Sequence, residues 1–244
     1  MELLVTAEAI ALGKEAARRV ATALRENPAL VLALPTGETP TGMYDELIRL
    51  HRDEGLSFAD ATTFNLDEYV GLDLGDAQSC AAFMHLHFFA HVDLHPNRRY
   101  LLDGRATNLD AECARYERAI AHADGIDLAV IGLGANGHVG FNEPGSPSDS
   151  RTAVQALAPR TLTDNARLYA PGTFLPTTGY SMGLGTIRDA RAILLLAFGA
   201  RKAPAIVATL HGPITIDCPA STLREHPRFT ALIDRAAASE LQTA

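Results

Sequence analysis

A chain of 244 residues suffices for one well-cored domain, and its 47% hydrophobic and 20% charged residues are ordinary for a globular protein. Its formal net charge of -8, with no Lys/Arg-rich block, argues against nonspecific nucleic-acid binding, so any anion site must be a local pocket of N–H groups and a few basic side chains. Cys80, Cys113 and Cys218 are scattered without a CxxC, which speaks against a disulfide framework and a zinc site and for a reducing compartment.

Met1-Glu-Leu-Leu-Val-Thr6 lacks a charged n-region and a long apolar h-region, so no signal peptide is expected and the cytoplasm is the default setting. Ile10, Gly13, Ala17, Val20 and Leu24 recur at helical spacing, and Leu30–Leu34 is a short apolar strand. Met43, Leu47 and Leu50 mark the next helix, and Thr62–Leu66 reads as a strand. Ala82, Phe83, Leu86 and Phe89 form another helical stripe, and Cys113, Tyr116 and Ile120 a third. Ile126–Ile131 is a buried strand ending in a glycine turn, and a further strand lies near Tyr180. Ala192–Phe198, the strongest apolar run, is a strand far short of the ~20 residues that span a bilayer. A helix around Ala205–Leu210 and a last strand at Phe229–Ile233 complete the pattern.

Continuous apolar strands between amphipathic helices predict an α/β fold. The expectation is a single doubly wound domain over residues 1–244, a mostly parallel sheet with helices on both faces in a Rossmann-like, three-layer arrangement. Residues 143–180, rich in Pro, Gly, Ser and Thr and poorly periodic, are read as a lid or site-forming region.

Four strand ends carry polar residues, where open α/β sheets keep their sites. In Leu34-Pro-Thr-Gly-Glu-Thr-Pro-Thr-Gly-Met43, Thr39 reads as an N-cap and Pro40 as the first helical residue. Such a turn, at Thr36, Gly37, Glu38 and Thr39, offers free N–H groups and a helix dipole to a phosphate; a merely well-capped helix is the equal alternative. It is no P-loop, because the G-K-[ST] ending is missing. In Phe64-Asn-Leu-Asp-Glu-Tyr-Val-Gly71, Asp67 and Glu68 point in opposite directions if the chain is extended, so one can face a crevice while the other does structural work. A solvated turn is the plainer reading.

The third segment is Gly132-Leu-Gly-Ala-Asn-Gly-His-Val-Gly-Phe-Asn-Glu-Pro144. His138 can move protons near neutral pH, Glu143 can orient it or share the proton, and Asn136 can only donate or accept a hydrogen bond. Its G-x-G-x-x-G match suggests a dinucleotide, but Gly140, Pro144, Gly145 and Pro147 follow where that motif needs a helix, so no nicotinamide is expected. The fourth is Phe198-Gly-Ala-Arg-Lys202. With Arg167, Lys202 can supply cations for a phosphate, although either taken singly reads as a surface charge. His87, His91 and His95 have a spacing that would line a helix face for a metal, but Asp93-Leu-His95-Pro96 looks like a helix already ended. Helix-end histidines are the expectation, and no metal.

Together these segments resemble the glucosamine-6-phosphate deaminase family, also called glucosamine-6-phosphate isomerase. The match runs from the strand before Pro35-Thr-Gly37 to Ser221-Thr-Leu-Arg-Glu-His-Pro227, and is most specific at Phe64–Leu72, Met84-His85 with Phe88–Asp93, and Gly137–Pro144. The resemblance implies conversion of D-glucosamine 6-phosphate and water to D-fructose 6-phosphate and ammonia, a hydrolase acting on a carbon–nitrogen bond in amino-sugar catabolism, with neither metal nor organic cofactor. It places the general base on Asp67, the ring-opening histidine on His138 and its supporting carboxylate on Glu143. It places phosphate binding on Gly37-Glu38-Thr39 with Arg167 and Lys202. The implied partner is a small sugar phosphate; a homo-oligomer cannot be read from the chain.

Three departures bear on this. Position 136 is Asn where some members have Asp, which leaves Glu143 as the main acidic partner of His138. Position 38 is Glu where a small residue is frequent, so its side chain is expected to point away from a phosphate. Regulated members carry basic residues at positions matching Ala153 and Gln155, so activation by N-acetylglucosamine 6-phosphate is not expected. The rivals are 6-phosphogluconolactonase, which typically lacks the Asn-Glu of Asn142-Glu143 and has Arg where Tyr69 stands, a deaminase for another hexosamine phosphate, and a non-catalytic sugar-phosphate sensor. A sensor need not keep Asp67, His138 and Glu143 together.

Overall fold

A strand whose every residue is apolar needs cover on both faces. In the computed structural model, which describes residues 1–166 and 176–241 apart from the side chains of 160 and 164–166, that cover is complete. The chain runs β1 (Glu2–Thr6), α1 (Ala9–Glu26), β2 (Val31–Leu34), α2 (Thr41–Glu54), β3 (Thr62–Asn65), β4 (Asp67–Tyr69), α3 (Cys80–Met84), β5 (Arg99–Tyr100) and α4 (Leu109–His122). It continues through β6 (Leu128–Gly132), β7 (Ala153–Ala156), α5 (Pro159–Ala166), β8 (Thr178–Ser181), α6 (Leu184–Arg188), β9 (Ile193–Ala197), α7 (Ala203–Leu210) and β10 (Phe229–Asp234).

Seven strands form one sheet in the order β1-β10-β9-β6-β2-β3-β5, parallel throughout. Alternate residues of each strand feed opposite cores. Val31, Ala129, Ile131, Leu195 and Ile233 join α4, α6 and α7 on one face. Leu32, Leu34, Val130, Leu194 and Leu232 join α1 and α2 on the other. This is the expected three-layer, doubly wound domain. The chain leaves β2 toward β3 on one side and β6 toward β9 on the other, so the crevice between the carboxyl ends of β2 and β6 is the topological switch point.

Several expectations need correction. Ile10 lies outside the buried stripe of α1, exposed while Leu12, Gly13, Ala16 and Ala17 face the core. In the Ala82–Phe89 stripe Leu86 is exposed and Met84 and Phe88 are buried. The cause is a π turn, His85–Phe89, closed by Ala90 N–H donating to the His85 carbonyl at 3.1 Å, which rotates the buried face out of α-helical register. Helix α2 starts at Thr41, so Thr39 is not its N-cap. The Thr41 hydroxyl and N–H both donate to the Glu38 carbonyl, at 2.7 and 3.3 Å, and wind residues 38–41 into a preceding turn.

The described part of residues 143–180 is also more regular than expected. It carries β7, α5 and β8, and β4-β8-β7 make a second, antiparallel sheet of three strands. The strand near Tyr180 therefore belongs to this small sheet. No described helix is long and apolar enough to cross a membrane.

Candidate active site

A cleft of about 670 Å³ opens at the carboxyl ends of β2, β6 and β9, bounded by Thr36, Asp67, Cys80, His138, Thr161 and Lys202. Its first wall is the turn after β2. Gly37 holds φ +93°, a left-handed conformation that glycine adopts without steric cost. Among the described residues no hydrogen bond engages the backbone N–H groups of Gly37, Glu38 and Thr39. The turn thus lines the cleft with backbone N–H donors that have no described partner, the requirement for an anion pocket in a protein of net negative charge. The Glu38 side chain is exposed. Lys202, at the start of α7, lines the same cleft, whereas Arg167 lies outside the described residues.

The second wall is β4. Because this short strand is extended and pairs antiparallel with β8, its adjacent carboxylates diverge. Glu68 turns to the N-terminus of α3 and accepts the N–H groups of Tyr69, Cys80 and Ala81 at 2.8–2.9 Å. Asp67 faces the cleft at 7% exposure. The Cys80 thiol donates to Asp67 Oδ1 at 3.5 Å, and the Thr36 hydroxyl donates to Cys80 Sγ at 3.6 Å. Burial pushes the Asp67 carboxyl up to about 6, against the opposing pull of Cys80, His138 and Thr36. A carboxylate poised there can both take and return a proton near neutral pH.

The third wall is the loop after β6, which runs through turns with no helix after Gly137. Gly134 is packed on the imidazole of His138, where an added Cβ would lie 2.3 Å from ring atoms. Asn136 Oδ1 accepts the His138 backbone N–H at 3.2 Å, and its Nδ2 donates to Glu143 Oε2 at 2.9 Å. The same Oε2 is 3.5 Å from His138 Nδ1. Thr161, from α5, donates to Glu143 Oε1 and sits 3.4 Å from His138 Nδ1. Burial would raise the Glu143 carboxyl, but His138, Thr161 and Asn136 outweigh it and hold it at about 2. Glu143 is therefore a fixed negative charge at neutral pH, while Asp67 titrates.

The structure thus gathers Asp67, His138, Glu143, Asn136, the Thr36–Thr39 turn and Lys202 around one cleft. The crowded histidines stand apart from it. His91 Nε2 bonds the Leu86 carbonyl, His95 Nδ1 accepts from Asn97, and His87 packs on Phe83. No described group of three His, Cys, Asp or Glu could hold a metal.

The model of the family of glucosamine-6-phosphate isomerases and 6-phosphogluconolactonases matches residues 6–231. The chain belongs to that family. Within it, the glucosamine-6-phosphate deaminase of Bacillus velezensis is 48% identical over 227 residues, 93% of this chain and 94% of the relative. Glucosamine-6-phosphate deaminase 1 of Bacillus subtilis is 45% identical over 228 residues, 93% of this chain and 94% of the relative. A solved monomeric glucosamine-6-phosphate deaminase aligns with TM-score 0.96 and 44% identity over 98% of this chain and 99% of its own. A 6-phosphogluconolactonase from Trypanosoma brucei reaches TM-score 0.77 at 20% identity, over 99% of this chain and 98% of its own, a likeness of fold alone.

Two side chains of this family member escaped the sequence reading. Cys80 sits beside Asp67, and nothing in Gln78-Ser-Cys80 points there. Thr161 follows Pro159, a legible helix start, but its pairing with Glu143 crosses 18 positions and needed the fold.

Proposed function

We propose that the protein converts D-glucosamine 6-phosphate and water to D-fructose 6-phosphate and ammonia. The observation that carries this reading is a pair of separate acid/base stations, Asp67 and His138 with Glu143, on one cleft that also holds a turn whose N–H groups have no partner among the described residues. The phosphate is assigned to the Thr36–Thr39 turn with Lys202, and with Arg167 as a second cation. Its binding energy positions a sugar whose reacting atoms lie elsewhere.

His138, held by the Glu143 charge, moves the proton between the C1 hydroxyl and the ring oxygen, and the pyranose opens. Asp67, ionised, then takes the C2 proton of the open-chain aldehyde. The electron pair left at C2 moves toward C1 as the carbonyl becomes an enol, which gives an enolamine. Return of the proton to C1 makes the C2 imine, water adds at C2, and ammonia leaves. One water is consumed and one carbon–nitrogen bond is broken, so we class the net change as hydrolysis containing an aldose–ketose isomerisation. Each step is a proton transfer or a water addition of the kind side chains carry.

The 6-phosphogluconolactonase alternative is weakened by distance, 20% identity against the 44–48% shared with deaminases. We place the enzyme in the cytoplasm, since its free cysteines, Cys80, Cys113 and Cys218, fit a reducing compartment. Incubation of chelator-treated protein with glucosamine 6-phosphate, with fructose 6-phosphate and ammonia assayed together, tests the reading. Equal release of both is the expected result. Release of neither, with 6-phosphogluconolactone hydrolysed instead, overturns it.

A further inference from the structure

We infer that Thr161 is a positioning residue that fixes the His138 ring with its proton on Nδ1, leaving Nε2 as the atom that exchanges protons with the sugar. This rests on the reading of His138 as the ring-opening group. Thr161 is 2% exposed, so bulk water cannot satisfy its hydroxyl. A hydroxyl carries one proton and two lone pairs. The proton goes to Glu143 Oε1, the nearer partner and an acceptor only. The lone pairs are then left to face His138 Nδ1, 3.4 Å away.

Nδ1 has a second neighbour of the same kind, Glu143 Oε2 at 3.5 Å. It therefore lies between two acceptors. A protonated Nδ1 is stabilised by both, and a bare one would aim its own lone pair at a carboxylate and a hydroxyl oxygen. Both distances are long for a single strong bond, so the N–H is shared, and the ring's orientation depends on both acceptors. Asn136 cannot substitute: its amide is spent on Glu143 Oε2 and its carbonyl on the His138 backbone N–H. Gly134 packs against the Cγ, Nδ1 and Cε1 atoms of the ring, where any side chain at that position would collide with the imidazole. Thr161 arrives from α5, a different segment from the β6 loop that carries His138, Asn136 and Glu143. The tautomer is thus set by a contact between two parts of the chain.

The test is ¹⁵N–¹H NMR of histidine-labelled protein at about pH 8, where an ordinary imidazole is neutral, on wild type, Thr161→Val, Thr161→Ala and Thr161→Ser. The wild type is expected to show His138 as the Nδ1–H tautomer. Thr161→Val and Thr161→Ala are expected to lose that preference, and kcat for glucosamine 6-phosphate to fall roughly ten-fold or more, inside the ~10²–10⁴ that a positioned acid/base supplies. KM should stay within about three-fold, because the phosphate turn is untouched. Thr161→Ser should restore both tautomer and kcat. An unchanged tautomer in the Val and Ala variants overturns the inference whatever happens to turnover, and so does a shifted tautomer with unchanged kcat. If wild type fails to turn over the substrate, the proposed function falls, while the tautomer comparison still reads the Thr161 contact on its own.

Discussion

Burial tightens the hold of Asp67 on its proton and makes its charge a thermodynamic cost. Its carboxyl is pushed up to about 6 from 3.8, chiefly by desolvation. The folded protein therefore holds this proton more tightly than the unfolded chain, and between about pH 4 and pH 6 stability falls as pH rises through that window. Asp67→Asn lacks the penalty. It is expected to match wild type near pH 4 and to exceed it at pH 7 by on the order of 3 kcal/mol, read as a growing Tm difference across a pH series. A difference that does not change with pH would mean that Asp67 is not desolvated. Glu143 has the opposite sign: held at about 2, it contributes stability above its ordinary 4.5 that is lost as pH falls toward 2, in both proteins. At this scale the motif residues were legible because chemistry-bearing types stood at strand ends. Thr161 was not, since a lone threonine in Pro159-Arg-Thr161 has no local signal for the carboxylate it meets.

The elements show why one carboxylate of the adjacent pair stays out of the chemistry. Glu68 closes the N-terminus of α3 by accepting the N–H groups of Cys80 and Ala81, accepts that of Tyr69 as well, and burial with the neighbouring Asp67 nevertheless lifts its carboxyl to about 7. Glu68→Ala would leave those donors without an acceptor at roughly 1–3 kcal/mol each. A drop in Tm of many degrees is the expected outcome, with Glu68→Gln, which keeps one acceptor oxygen, falling between it and wild type. Equal Tm values for all three would show that the contact does not hold α3. The extended-strand argument anticipated this split of roles from sequence. The strands buried on both faces, β2, β6, β9 and β10, were equally legible, since each carries a near-continuous apolar run, broken in β10 by Thr230 and Asp234. The edge strands were not. β1 leaves Leu3 and Val5 exposed, β5 spans two residues, and β7 is only half-buried, so none carries the continuous apolar run that marked the others.

Across the whole molecule, the strand order determines the site. Reversal of direction between β2 and β6 leaves a crevice, and the segments after those strands supply the Thr36–Thr39 turn and the His138 loop that line it. The small sheet β4-β8-β7 then brings Asp67 against the cleft from a third direction. Strand β7, within the segment read as a lid or site-forming region, was not legible, because a short, half-polar strand has neither helical nor continuous apolar periodicity. Strand β7 carries Ala153 and Gln155, neither of them charged, at the positions where the resemblance leads us to expect basic residues in a regulated member. Initial rates with and without N-acetylglucosamine 6-phosphate should therefore be hyperbolic and superimposable. A sigmoidal curve made hyperbolic by that compound would contradict this.

The proposed function rests on Asp67 moving the C2 proton of an opened amino sugar. Glucosamine 6-phosphate deuterated at C2 and followed by NMR tests it most directly, with wild type and Asp67→Asn side by side. Wild type is expected to remove the deuterium from C2 as fructose 6-phosphate and ammonia appear. Asp67→Asn is expected to bind the substrate within a few-fold and to leave the C2 deuterium in place, because the base acts mainly in the transition state. Loss of the C2 deuterium by Asp67→Asn at a rate near that of wild type would contradict the account.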